Sequence, residues 1–158
     1  DLALRLARVF WLRPIELQYL QIRKNGKFTL WCTYSKRTST GGTEARRLFP
    51  IHKNWCEEWK LIEKVRSGAP LPSMKSGGGQ AFGTYFRFNE TWKKLQKKGI
   101  SAYSLRHAYA VAGHEKYNLN ASILAPAMGH SVEVHNRSYS RWYGEKYLED
   151  IFENATQS

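Results

Sequence analysis

The chain has 158 residues, with 25 Lys and Arg against 13 Asp and Glu, a formal net charge of +12. A hydrophobic fraction of 42% with 14% aromatic residues excludes a disordered polymer, and the length suits one domain with a proper core. The positive excess points to a polyanion as partner, nucleic acid being the default.

Residues 2–10 place apolar side chains at helical intervals and predict an amphipathic helix. Arg13 follows, just ahead of Pro14, which opens a new helical turn, and a helix start favours anions. Asn25-Gly26 predicts a hairpin turn between strands at 20–24 and 27–34, and a third strand is expected over 44–51. The connection from Tyr34 to Glu44 is a polar loop that carries Lys36 and Arg37 and is able to close over a ligand. One helix is expected over 53–66, with Trp55, Trp59 and Ile62 on one face. Residues 67–80 read as a flexible Gly/Pro/Ser connector. A second helix over 81–98 carries Tyr85, Phe88, Trp92 and Leu95. Further helices hold Arg106, the segment 121–128 closed by Gly129, and then about 132–142 and 145–155. The expected class is α+β and mostly helical, with helices packed on a small three-stranded antiparallel sheet.

Cys32 and Cys56 fit no metal spacing and read as free buried thiols in a reducing cytosol, so a cytoplasmic protein is expected. No apolar run reaches membrane-spanning length. No acidic cluster has ligand spacing either, so neither metal nor cofactor is expected.

Arginine, histidine and tyrosine together suit phosphodiester transfer. Arg106 offers a permanently charged fork, His130 lies in a Met-Gly-His-Ser turn, and Tyr139 comes nine residues later. With Arg13 in an Arg-x-x-Glu-Leu box, Lys36 on the hairpin loop, and Arg106-His107 within Ser-Leu-Arg-His-Ala-Tyr-Ala, the chain resembles the catalytic domain of the tyrosine recombinases, the phage-integrase family. The resemblance runs over nearly the whole chain. It departs at Tyr103, where the family usually has histidine. A phenol donates a hydrogen bond but is a poorer base near pH 7 than imidazole, so Tyr103 is at most an accessory group.

The resemblance implies metal-free DNA strand cleavage and rejoining through a 3′-phosphotyrosyl bond. Tyr139 is the expected nucleophile. Arg13 and Arg106 hold the phosphate, His130 hydrogen-bonds it, and Lys36 protonates the departing 5′ oxygen. It implies double-stranded DNA as partner, four protomers in the active assembly, and an N-terminal DNA-clamping domain outside these residues. The amphipathic tail 145–158 then packs either on a neighbour or back on its own domain. Tyr143 is expected as a core or interface aromatic, Glu16 as structural, and His135 and Arg137 as DNA-facing or solvated. His107 is passed over as a substitute for the residue at 103, because neighbouring helical positions point about 100° apart. A type IB topoisomerase-like relaxase and a non-catalytic DNA-binding relative are the competing expectations.

Overall fold

The computed structural model describes residues 1–38, 41–74, 79–140 and 144–156. Helix α1 (Leu2–Phe10) starts where the Asp1 carboxylate accepts from the backbone N–H of Ala3 (2.8 Å) and Leu4 (3.3 Å). It buries Leu6, Val9 and Phe10. It ends on Trp11, which adopts the left-handed conformation (φ 56°) rarely taken by a non-glycine residue. The tertiary structure holds that turn: the indole is buried against Tyr109, with ring centroids 5.2 Å apart. A single 3-10 turn, Pro14–Gln18, follows Arg13.

Strands β1 (Leu20–Asn25) and β2 (Lys27–Cys32) form the hairpin around Gly26, which takes φ 70°. After a two-stranded ribbon, β3 (Arg37–Thr38) with β4 (Gly41–Gly42), strand β5 (Arg46–Arg47) pairs antiparallel with β2. The sheet order is β1-β2-β5, the expected three strands, although the third is two residues rather than eight. Its register sets Arg46 opposite Cys32 and Arg47 opposite Trp31.

Two expected helices are broken. Residues 53–66 form α2 (Lys53–Glu58) and α3 (Leu61–Arg66), separated at Lys60 with φ 50°. The break keeps Leu61 fully buried while Trp55 and Trp59 stack on each other, with Arg8 and Arg5 over their rings. Residues 81–98 form parts of α4 (Gly79–Tyr85) and α5 (Glu90–Lys97). Asn89 restarts the helix by accepting from the Trp92 N–H at 2.9 Å. Phe88 therefore falls between the two helices and is 75% exposed, while Phe82, Phe86 and Trp92 form the aromatic core there. Of the connector 67–80, residues 75–78 lie outside the described set.

Helix α6 (Ala102–Val111) is capped by Ser101 and continues into a π-helical turn, Ala112–Lys116, which buries His114. Gly113 is needed there, since a β-carbon would meet the Leu124 side chain at 2.7 Å. Helices α7 (Ala121–Met128) and α8 (Val132–Tyr139) flank Gly129, and α9 (Glu145–Thr156) closes the chain. On α9, Leu148, Ile151 and Phe152 are exposed. Both cysteines are free and buried. Among the described residues no helix is long and apolar enough to cross a membrane.

Candidate active site

The C-terminal end of α7 gathers the site. A helix leaves its last carbonyls without intrahelical partners, and that end carries partial negative charge. Here three successive carbonyls each take one arginine. Ala127 O accepts from Arg46 Nε at 3.1 Å, Met128 O from Arg106, and Gly129 O from Arg13 at 3.3 Å. Gly129 makes the arrangement possible twice over. It takes φ 72° at the helix end, and a β-carbon on it would stand 2.7 Å from an Arg46 nitrogen.

Glu16 binds the same arginines from the other side. Its Oε1 lies 2.7 Å from Arg13 and 2.9 Å from Arg46, and its Oε2 accepts from the Arg13 backbone N–H at 2.8 Å. The carboxylate is fully buried. Burial pushes its pKa up, but Arg46, Arg13 and Arg106 together outweigh that and hold it below the ordinary carboxylate value. The structural role expected for Glu16 fits this position.

Arg106 is 5% exposed and also donates to Trp11 O at 2.8 Å, which fixes the left-handed turn before Arg13. Burial lowers its pKa to about 10, with Arg13 adding to the shift and Glu16 opposing it, so it stays charged at neutral pH. Three guanidinium groups face one carboxylate, leaving the cluster net positive, and each keeps N–H donors beyond those named. Such a cluster can hold the non-bridging oxygens of a phosphate.

Tyr139, at the last position of α8, is 4% exposed and lies beside this cluster. Burial raises the pKa of its phenol, while Arg106, next to it, and Arg13 pull it back down. Its ring packs against three imidazoles, at 4.7 Å from His135, 5.2 Å from His107 and 5.8 Å from His130. Arg13, Arg106, His130 and Tyr139 are thus brought together from four separate stretches of chain.

Lys36 and Tyr103 are placed differently. Lys36 is exposed on the segment leading into β3; its backbone N–H donates to Thr43 Oγ1 at 3.1 Å, and no described bond links its ammonium to the arginines. Tyr103 is 53% exposed with its ring over Gly79. Tyr143 lies outside the described residues.

One histidine corrects the reading from sequence. His135 is fully buried inside the site, not DNA-facing or solvated, because it lies one helical turn before Tyr139 on the same face of α8. The His107 ring packs edge-on against the Tyr139 ring, with centroids 5.2 Å apart, while Arg106 is the group that bonds the phenol. Arg137 is exposed and pairs with Glu133. Arg46 escaped notice altogether. Nothing in the local sequence separates it from Arg47; only the pairing of β5 with β2 does.

The buried imidazoles make stability pH-dependent. Burial first, then the neighbouring arginines and His135, lower His130 from 6.5 to about 3; burial, His114 and Arg106 lower His135 from 6.5 to about 4. Between these values and 6.5 the unfolded chain binds more protons than the folded one. Stability is therefore complete above about pH 6.5 and is lost as pH falls towards 4. Thermal melts followed by circular dichroism should show Tm dropping by roughly 5 °C or more between pH 7 and pH 5.

The fold and site define an α+β chain that packs a buried tyrosine and several histidines against three arginines at one helix end. Among the described residues no His, Cys, Asp and Glu side chains are grouped so as to hold a metal ion. No family model matches the chain. No solved structure matches it. It is similar to a protein named Excisase A from Nostoc sp. (strain PCC 7120 / SAG 25.82 / UTEX 2576), with 27% identity over 105 residues. That stretch covers 64% of this chain and 22% of the Nostoc protein, so the chain spans about a fifth of its relative's length.

Proposed function

We propose that this chain is the strand-cleaving domain of a site-specific DNA recombinase, working without a metal through a 3′-phosphotyrosyl intermediate. The observation that carries this reading is the meeting of Arg13, Arg106 and Tyr139 around the end of α7. The likeness to a protein named for excision supports a role in DNA recombination, and the +12 charge supports DNA as partner. In the cleavage step the Tyr139 oxygen bonds to phosphorus and the 5′ oxygen leaves. Arg13 and Arg106 neutralise the charge that builds on the non-bridging oxygens, and Lys36 gives the leaving oxygen a proton from its exposed loop. Glu16 and Arg46 hold the arginine pair in register. Tyr139 is the last residue of α8 and is buried, so on this reading that helix end moves for the phenol to meet a bound phosphate. Four protomers assemble on two sites, the exposed apolar face of α9 being the surface available for a neighbour.

A nicked suicide substrate tests the reading. The wild-type chain should form a denaturant-resistant adduct with the DNA, and Tyr139→Phe should form none. An adduct that survives the substitution removes Tyr139 as the nucleophile. A second reading, a DNA-binding recombination protein without cleavage, draws on one observation: Tyr139 is 4% exposed and its phenol is harder to ionise than usual. Binding without any adduct would select it. Relaxation of a single supercoiled duplex, without exchange between two, would select a topoisomerase.

A further inference from the structure

Three histidines stand in one hydrogen-bonded line inside the chain. His130 Nε2 is 3.0 Å from His135 Nδ1, and His135 Nε2 is 2.8 Å from His114 Nε2. His135 is fully buried and His114 is 3% exposed. The far end of the line is fixed by a backbone group, because the His114 ring also bonds Leu119. Neither His114 nor His135 has a part in the chemistry described so far.

The direction of every bond in the line can be worked out. Burial holds all three rings neutral near pH 7, helped at His130 by Arg106, His135, Arg13 and Arg46, and at His135 by His114 and Arg106. A neutral imidazole has one N–H and one lone pair. A carbonyl only accepts, so His114 donates to Leu119 from Nδ1, the nitrogen that His135 does not use. His114 Nε2 is then the acceptor for His135 Nε2–H, and His135 Nδ1 is the acceptor for His130 Nε2–H. His130 is left with its lone pair on Nδ1. Held this way, it cannot donate a hydrogen bond to phosphate without giving up His135, but it can take a proton.

We propose that His135 and His114 are positioning residues that lock the His130 tautomer, so that His130 Nδ1 accepts the Tyr139 proton as the phenol attacks phosphorus. The inference rests on the recombinase reading above. In the step the bond from the Tyr139 oxygen to phosphorus forms and the bond from phosphorus to the 5′ oxygen breaks. The phenol proton goes to His130 Nδ1, and the 5′ oxygen takes a proton from Lys36. Rejoining reverses both transfers. The imidazolium formed at His130 keeps its Nε2–H bond to the His135 lone pair, and the negative charge of a bound phosphate would offset the burial and arginine charge that disfavour it in the free chain.

Two measurements on the full chain test this. Nitrogen-15 NMR of labelled histidines reads tautomers directly and needs no activity: His130 and His135 should be Nε2–H and His114 Nδ1–H. Single-turnover adduct formation with His135→Leu, and with His114→Leu as a second variant, should be slowed about tenfold or more, with the pH profile displaced, in protein shown by circular dichroism to be folded. Finding His130 as the Nδ1–H tautomer overturns the proposal, and so does a folded His135 or His114 variant that cleaves at the wild-type rate across the pH range. A wild-type chain with the expected tautomers but no adduct overturns the recombinase reading instead, and the relay's role in it.

Discussion

Glu16→Gln should destabilise the fold by about 3–5 kcal/mol, measured by urea unfolding at neutral pH. The carboxylate is fully buried between Arg13 and Arg46, and its charge also offsets that of Arg106. A glutamine keeps one acceptor oxygen but removes the negative charge, leaving three guanidinium groups facing each other in a site with little water. The end of α7 supplies only partial compensation. Inorganic phosphate or DNA should restore more stability to the variant than to the wild type, because an anion would occupy the vacated electrostatic role. A variant as stable as the wild type would show that the guanidinium groups are balanced by other means.

The second large effect is expected at Arg106. Arg106→Lys retains the charge but replaces a planar fork with a point charge. One ammonium cannot reach Trp11 O, Met128 O and the Tyr139 phenol together as the guanidinium does. Single-turnover adduct formation should fall roughly a hundredfold or more, in line with loss of one preorganised contact to developing charge. DNA affinity should change far less, since the net charge is the same. Stability should fall as well, by about 1–3 kcal/mol, because a buried carbonyl loses its partner. Cleavage within a few-fold of the wild type would place Arg106 in a purely structural role.

Much of the architecture was legible beforehand because it depends on short-range chemistry. Asn25-Gly26 turns the hairpin and Gly129 ends α7, each through bonds to backbone a few residues away. The Arg13, Arg106, His130 and Tyr139 positions could be picked out because their residue types, order and flanking motifs resemble those of the tyrosine recombinases. The helix breaks at Lys60 and Asn89 were not legible. Continuous helices would satisfy local periodicity, and only burial of Leu61 and Trp92 against distant elements favours the interruptions.

By itself the sequence determined the α+β class, the three-stranded sheet, and the order in which arginine, histidine and tyrosine enter the chain. Tertiary structure alone decided which cations and imidazoles complete the cluster. Arg46 joins Glu16 because β5 pairs with β2 in one register, and a shift by one residue would present Arg47 instead. On α8, hydropathy would turn Val132 and Val134 inward, yet both are 41% exposed while His135 is fully buried. His130 and His114 give that imidazole its hydrogen bonds, which lets a polar ring sit where a valine would be expected. His114 lies 21 residues away along the chain, beyond the reach of any local pattern.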